Sequence, residues 1–390
     1  MSIVEFSFTD HSSGWTVKPF TLKPSLNLLV GISGAGKSQT LGNLFTVCKA
    51  ALAAEYVPGD CEWSLKITSP EGEYLWRART RAKDDDAGVD EVGGAPNGYD
   101  DYEFSTESIS VNGEMLFERT PTETTFGGVA LPSLSRDESG VRLFLSDKRI
   151  RPLAQALARV RLSYDKPLRR VILDDGLAWS KIRHKSSKSL SDLARDVALM
   201  FPLKAYVLQE KFKADFERLV LSPYREIFPT VTDVRVDLAA KLFPEEAHRR
   251  PRKGRRIDVA IRERGVKRWI GSEGISQGME RTLVHLLELA LSPPGTVLLI
   301  DEYESGMGVN CLPAVTRHLR ERAGELQFII TSHHPYVIGN IDKEDWLVVQ
   351  RHGSEVSISP ASSSPSLNTS SRQDAFIQLL NSDAYMEGIS

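Results

Sequence analysis

Gly31-Ile32-Ser33-Gly34-Ala35-Gly36-Lys37-Ser38 follows the apolar run Leu26-Asn27-Leu28-Leu29-Val30 and leads into a stretch that reads as a helix from Lys37 to about Glu55. Glycine, four residues, glycine, lysine and serine between a strand and a helix form a phosphate-binding loop. The glycines let the backbone curl until its N–H groups face a polyphosphate, and the helix start adds its positive end. Lys37 is placed to neutralise the β- and γ-phosphates, and the Ser38 hydroxyl to bind Mg²⁺. The ATP-binding set is therefore Gly31, Ser33, Gly34, Ala35, Gly36, Lys37, Ser38 and Gln39.

Farther along, Thr296-Val297-Leu298-Leu299-Ile300 is an apolar strand ending in Asp301 and Glu302. Carboxylates at the end of a buried strand need a partner, because burying charge is costly. Asp301 is expected to share Mg²⁺ with Ser38, and Glu302 to orient the attacking water of a phosphoryl transfer. One helix later (residues 310–323), a second buried strand ends in Thr331-Ser332-His333-His334-Pro335. Neighbouring strand ends of a doubly wound sheet face one crevice, so His333 joins Glu302 as a catalytic candidate, ahead of His334. Without the phosphate loop, such acids and histidines would read as solvated or structural groups.

Gly274-Ile275-Ser276-Gln277-Gly278-Met279-Glu280-Arg281 precedes an amphipathic helix over residues 279–291, and Gly278 lies 23 residues before Asp301. The segment resembles the ABC ATPase signature, usually L-S-G-G-Q and here I-S-Q-G-M. Ser276 and Gly278 keep the hydroxyl and the backbone N–H aimed at phosphate, while Gln277 replaces a glycine. Helix N-capping by Ser276 explains the same residues without a ligand. The resemblance implies that the signature of one copy closes on the ATP of another, giving a dimer or higher oligomer.

Some 240 residues separate Lys37 from Ser276, far more than in transporter ATPases. The chain looks like the branch containing RecF, the chromosome-maintenance (SMC) ATPases and the OLD-type ATPases. The run IDEYESGMGVNCLPAVTRHL (300–319), then FIITSHHPYVI (328–338) and WLVVQR (346–351), is similar to small ABC ATPases of bacterial defence islands. Motif-level resemblance covers residues 1–50 and 225–352. There are departures. Residues 303–310 match a D-loop only loosely, the segment after Gln350 is too short for the Toprim nuclease of OLD proteins, and Gln209 is the best Q-loop candidate only by residue type. The implied fold is α/β: an ABC ATPase head, a P-loop NTPase sheet with an antiparallel β subdomain, carrying a mainly helical insertion. The expected divisions are an N-terminal lobe over 1–132, the insertion over 133–230, a C-terminal lobe over 231–356, and a Ser-rich linker with a short helix (373–382) over 357–390.

Composition sets the bounds. With 41% hydrophobic and 26% charged residues the chain is ordinary globular protein, and its net charge of -3 gives no global pull toward nucleic acid or membrane. Cys48, Cys61 and Cys311 lack paired spacing, which fits reduced thiols in the cytoplasm. No leader and no membrane span are expected. Residues 83–102 read as an acidic, solvated loop without an EF-hand pattern. Arg249, Arg250, Arg252, Lys253, Arg255 and Arg256 form a basic run, with a weaker cluster at 181–188. It reads as a solvated hairpin tip, a nucleic-acid contact or a seat for an acidic partner.

The cofactors implied are ATP and Mg²⁺. The leading functional expectation is an ATP-hydrolysing switch that controls a separate effector, such as a nuclease or toxin, in anti-phage defence. The alternative is a DNA repair or chromosome-type ATPase acting on DNA itself. Glu302 and His333 speak against a non-hydrolysing scaffold, and the long insertion against a transporter subunit.

Overall fold

Leu26–Val30 is buried at every position because strands of a parallel sheet are covered on both faces. Around it the computed structural model describes residues 1–53, 56–83, 102–163, 171–173, 187–196, 199–244, 255–363 and 378. The chain divides into two compact units, Met1–Ser163 with Gly295–Tyr303 and Ala323–Ser390, and Tyr164–Pro294 with Glu304–Arg322.

The first unit opens with β1 (Ser2–Asp10), β2 (Trp15–Thr21), β3 (Leu26–Val30), β4 (Cys61–Ser69) and β5 (Gly72–Ala82). It continues with β6 (Tyr102–Val111), β7 (Glu114–Arg119), β8 (Thr124–Phe126), β9 (Val129–Ala130) and β10 (Val160–Ser163). The second unit holds β11 (Val171–Leu173), β12 (Val231–Leu238), β13 (Arg255–Glu263) and β14 (Ile270–Gly271). The chain then returns to the first unit for β15 (Val297–Ile300), β16 (Gln327–Thr331), β17 (Trp346–His352) and β18 (Glu355–Pro360). The helices that matter below are α1 (Lys37–Ala50), α2 (Phe201–Lys211), α3 (Gln277–Ala290), α4 (Leu312–Arg322) and α5 (Pro335–Asn340).

In the first unit one 14-stranded sheet runs β10-β15-β16-β3-β17-β18-β2-β1-β4-β5-β6-β7-β8-β9. β10, β15, β16, β3 and β17 are mutually parallel. From β1 through β9 the pairing is antiparallel and burial alternates, as in β5, where Tyr74, Trp76, Ala78 and Thr80 point inward. Trp63 and Trp76 pack edge to face at 5.3 Å in that wing. The antiparallel subdomain expected from sequence is thus an extension of the main sheet. A separate antiparallel sheet, β11-β13-β12 with β14 on β13, forms in the second unit against its own core.

Two segments depart from expectation. The helical block 133–230 contains β10, paired residue for residue with β15 from Val160↔Val297 to Ser163↔Ile300, and also β11. Apolar residues continue at helical spacing through Ala154–Leu162, so periodicity hides a four-residue strand that is buried at Val160 and Ser163. The linker expected from residue 357 begins inside β18, whose Val356 and Ile358 are buried opposite β17; alternation set it, and serine content masked it. The units also cut the chain elsewhere than the four linear blocks. The terminal helix apart from residue 378, residues 84–101 of the acidic loop, residues 181–186 and Arg249 to Lys253 lie outside the described residues, and only the backbone of Arg255 and Arg256 is described, in β13. All three cysteines are buried free thiols.

Candidate functional site

The phosphate loop takes its shape from the glycines. Gly34 and Gly36 have φ of 86° and 98°, where a side chain is strained. Gly36 starts α1 without a side-chain cap and with no acid in the first turn, which leaves the helix N–H groups and dipole to an anion. The loop is pressed from behind: a Cβ on Gly36 would lie 2.8 Å from Trp15 and 2.9 Å from Val356. Arg351 Nη1 donates to the Gly34 carbonyl at 3.0 Å, with its guanidinium 5.6 Å from the Trp15 ring. Lys37, 5% exposed, donates to the carbonyls of Gly31 (2.8 Å) and Ile32 (2.9 Å), so its ammonium stands inside the loop. Ser33, Gly34, Ser38 and Gln39 are exposed, and Ala35 is buried. A Cβ on Gly31 would meet the Val349 carbonyl at 2.5 Å. Gly31→Ala is therefore expected to lower stability by about 1–3 kcal/mol in urea unfolding, with loss of nucleotide binding.

The parallel strands deliver the carboxylates to the same loop. Ser38 Oγ donates to Asp301 Oδ1 at 2.9 Å, and Thr331 Oγ1, from the end of β16, donates to the same oxygen at 2.6 Å. Thr331 also holds the turn after β15: its hydroxyl accepts the Glu302 N–H at 2.8 Å and its carbonyl accepts the Tyr303 N–H at 2.9 Å. Glu302 is exposed and has φ of 45°, a left-handed conformation costing a non-glycine residue about 1–2 kcal/mol. Such strain persists where the surroundings enforce it, commonly at functional sites. Mg²⁺ prefers hard oxygens, one or two carboxylates and phosphates, and the adjacent Ser38 hydroxyl and Asp301 carboxylate fit that preference.

His333 is exposed at the same strand end. His334 instead caps α5: its Nδ1 accepts the Tyr336 N–H at 3.1 Å, while its own N–H donates to Ser332 Oγ.

In the second unit Ser276 is the N-cap of α3, its side chain accepting from Met279 N at 3.3 Å, and both Ser276 and Gln277 are exposed. A Cβ on Gly278 would stand 3.1 Å from Gly308 N, and one on Gly306 3.2 Å from Gln277 Nε2. The loosely matched D-loop thus packs on the start of α3. Gln209, on α2, accepts the Val236 N–H at 2.6 Å and supports β12.

His285, in the middle of α3, is buried. Burial first, then Arg281 and His318, push its imidazole down to about 3. Its unfolded value is about 6.5, so between these values the unfolded chain binds the extra proton. The stability that this group contributes is complete above about 6.5 and falls by up to roughly 1.4 kcal/mol per pH unit as pH drops toward 3. Urea unfolding across that range should show a shallower acid slope for His285→Leu than for the parent.

The structure brings together Gly31 to Ser38, Asp301, Glu302 and His333 within the first unit and places the signature residues on the second. Thr331, Arg351 and Trp15 were missed as site residues. A threonine directly after the apolar run Phe328–Ile330 was the available signal for Thr331; β17 and β2 gave none, because their approach to the loop is set by sheet order.

A protein-family profile described as "AAA domain, putative AbiEii toxin, Type IV TA system" matches residues 135–339, just over half of the chain. The match contains the signature, Asp301, Glu302 and His333; the phosphate loop precedes it. No curated protein matches the sequence. Among solved structures the chain is similar to an SMC head bound to the C-winged helix domain of ScpA, at 15% identity and a TM-score of 0.50, covering 92% of this chain and 97% of the other. A second is an SMC head with an extended coiled coil bound to the C-terminal domain of ScpA from Pyrococcus furiosus, at 13% identity and a TM-score of 0.49, covering 92% and 95%. These likenesses concern the fold. No helix among the described residues is long and apolar enough to cross a membrane.

Proposed function

The chain belongs to the AAA-domain family whose profile covers half of it, and from that premise we propose that it is an ATP-hydrolysing switch of the chromosome-maintenance type, working as pairs of heads closed around ATP. The observation that carries the reading is the Ser38–Asp301–Thr331 cluster beside Lys37 at the mouth of the loop.

In this reading Lys37 gives up the loop carbonyls for phosphate oxygens, and the α1 N–H groups hold the β-phosphate. Mg²⁺, when bound by Ser38 Oγ and the Asp301 carboxylate, supplies charge neutralisation on the phosphates. Glu302 accepts a hydrogen bond from the attacking water, in the turn that Thr331 fixes, and His333 contacts the γ-phosphate or that water. Ser276, Gln277 and Gly278 of a second copy present a hydroxyl and a helix N-terminus to the same nucleotide. Ser276 caps its own helix, and the two roles use the same exposed oxygen.

The likeness to an SMC head favours action in the manner of a chromosome or repair ATPase over a dedicated anti-phage role. The family description, with its toxin and toxin–antitoxin terms, is the support that remains for a defence function with a separate nuclease or toxin effector. A separate protein bound to the head is proposed on the same footing, since the similar SMC head carries a domain of ScpA.

The test is ATP turnover by the purified chain with Mg²⁺ and with EDTA. Turnover that depends on Mg²⁺ and rises more than linearly with protein concentration supports the reading. Failure to hydrolyse or to bind ATP rejects it.

A further inference from the structure

We propose that the outer face of the second unit's small sheet binds a single nucleic-acid strand, with phosphates on Arg235, Arg262, Lys267 and Arg268 and one unstacked base in the cavity beside Trp269. On β12 and β13 the residues Val234, Val236, Val259 and Ile261 face the core of the unit, so Arg235 and Arg262 stand on the opposite face. Both guanidiniums lie against Trp269, at 4.3 Å from the ring for Arg262 and 5.0 Å for Arg235. A guanidinium held against an aromatic ring is positioned by it and keeps its planar fork of N–H donors, which suits phosphate. Their competition is weak: Asp233 approaches Arg235 only to 3.8 Å, and the Arg235 side chain is 49% exposed.

The next turn adds Arg264, Lys267 and Arg268, all exposed, so residues 262–268 hold four cations against the single acid Glu263 in a chain whose net charge is -3. Beside this patch lies a cavity of about 460 Å³ lined by Phe243, Asp258, Lys267, Arg268, Trp269 and Ser272. Phe243 and Trp269, the buried Asp258 carboxylate, the buried Ser272 hydroxyl and the cations Lys267 and Arg268, with the exposed acid Glu273 also in the lining, suit a flat ring bearing amino groups with a phosphate attached. A duplex keeps its bases stacked inside and would leave the cavity empty; a single strand can turn one base into it. The cavity's Ser272 and Gly274 lie four and two residues before Ser276 at the start of α3. A bound strand therefore bears on the signature, an effect that rests on the ATPase reading.

The experiment is fluorescence anisotropy of a labelled single strand of about 20 nucleotides rich in adenine and cytosine, whose bases carry amino groups, titrated with the full chain without ATP, at salt from about 50 to 200 mM. The parent is expected to bind, and to lose roughly 50-fold in affinity across that range if four phosphates are neutralised. Lys267→Glu with Arg268→Glu should weaken binding by at least ~10-fold, and Trp269→Ala by about 10-fold, with unchanged circular dichroism. No binding by the parent, variants that bind like the parent, or equal affinity for a duplex of the same sequence would overturn the assignment, as would AMP entering the cavity of a chain that binds no strand. Because the titration contains no ATP, its failure leaves the ATPase reading intact, and failed turnover leaves the strand site intact.

Discussion

A Lys37→Ala chain is expected to lose ATP turnover by at least ~100-fold and to show no heat on ATP titration, with little change in thermal unfolding. Removing a preorganised charge from a partly desolvated oxyanion site costs on the order of 10²–10³ in rate. Lys37 is 5% exposed and its ammonium donates to the Gly31 and Ile32 carbonyls, so nothing else in the loop replaces it. Its removal leaves two carbonyls that solvent can reach once the side chain is gone, which is why folding should survive. A chain that still binds ATP normally would show that the loop's backbone donors suffice and that Lys37 has another task.

Glu302→Gln separates binding from chemistry. Its side chain is exposed, so neither fold nor loop should change, while the water loses its acceptor. Turnover is expected to fall by roughly 100- to 1000-fold. With ATP retained, the closed state should accumulate, and light scattering should report a mass near twice 43.4 kDa with ATP but not with ADP. An oligomer that forms equally without nucleotide would point to an ordinary subunit contact.

The centre of the site was legible because its chemistry is local. Gly31 to Ser38 is a contiguous run whose glycines are demanded by backbone curvature, and Asp301 and Glu302 are conspicuous after four buried aliphatics. The residues that brace it were not legible. Arg351 and Trp15 lie 317 and 19 residues from Gly34, and only the order β3-β17-β18-β2 brings both strands up to the loop. The same limit explains β10: Val160-Arg161-Leu162-Ser163, with two apolar residues, fits a helix or a strand, and only pairing with the edge of β15 decides. Gln209 was a candidate by residue type alone, and its carboxamide oxygen accepts the backbone N–H of Val236 in β12.

Mixing two disabled chains tests the paired-head claim most directly. Lys37→Ala spoils the loop and leaves the signature; Ser276→Arg spoils the signature and leaves the loop. Each should be inactive alone. An equimolar mixture should recover about a quarter of parental turnover, because half of the dimers are hybrids and each hybrid holds one whole site. Full turnover by Ser276→Arg alone, or a mixture no more active than its parts, would contradict it.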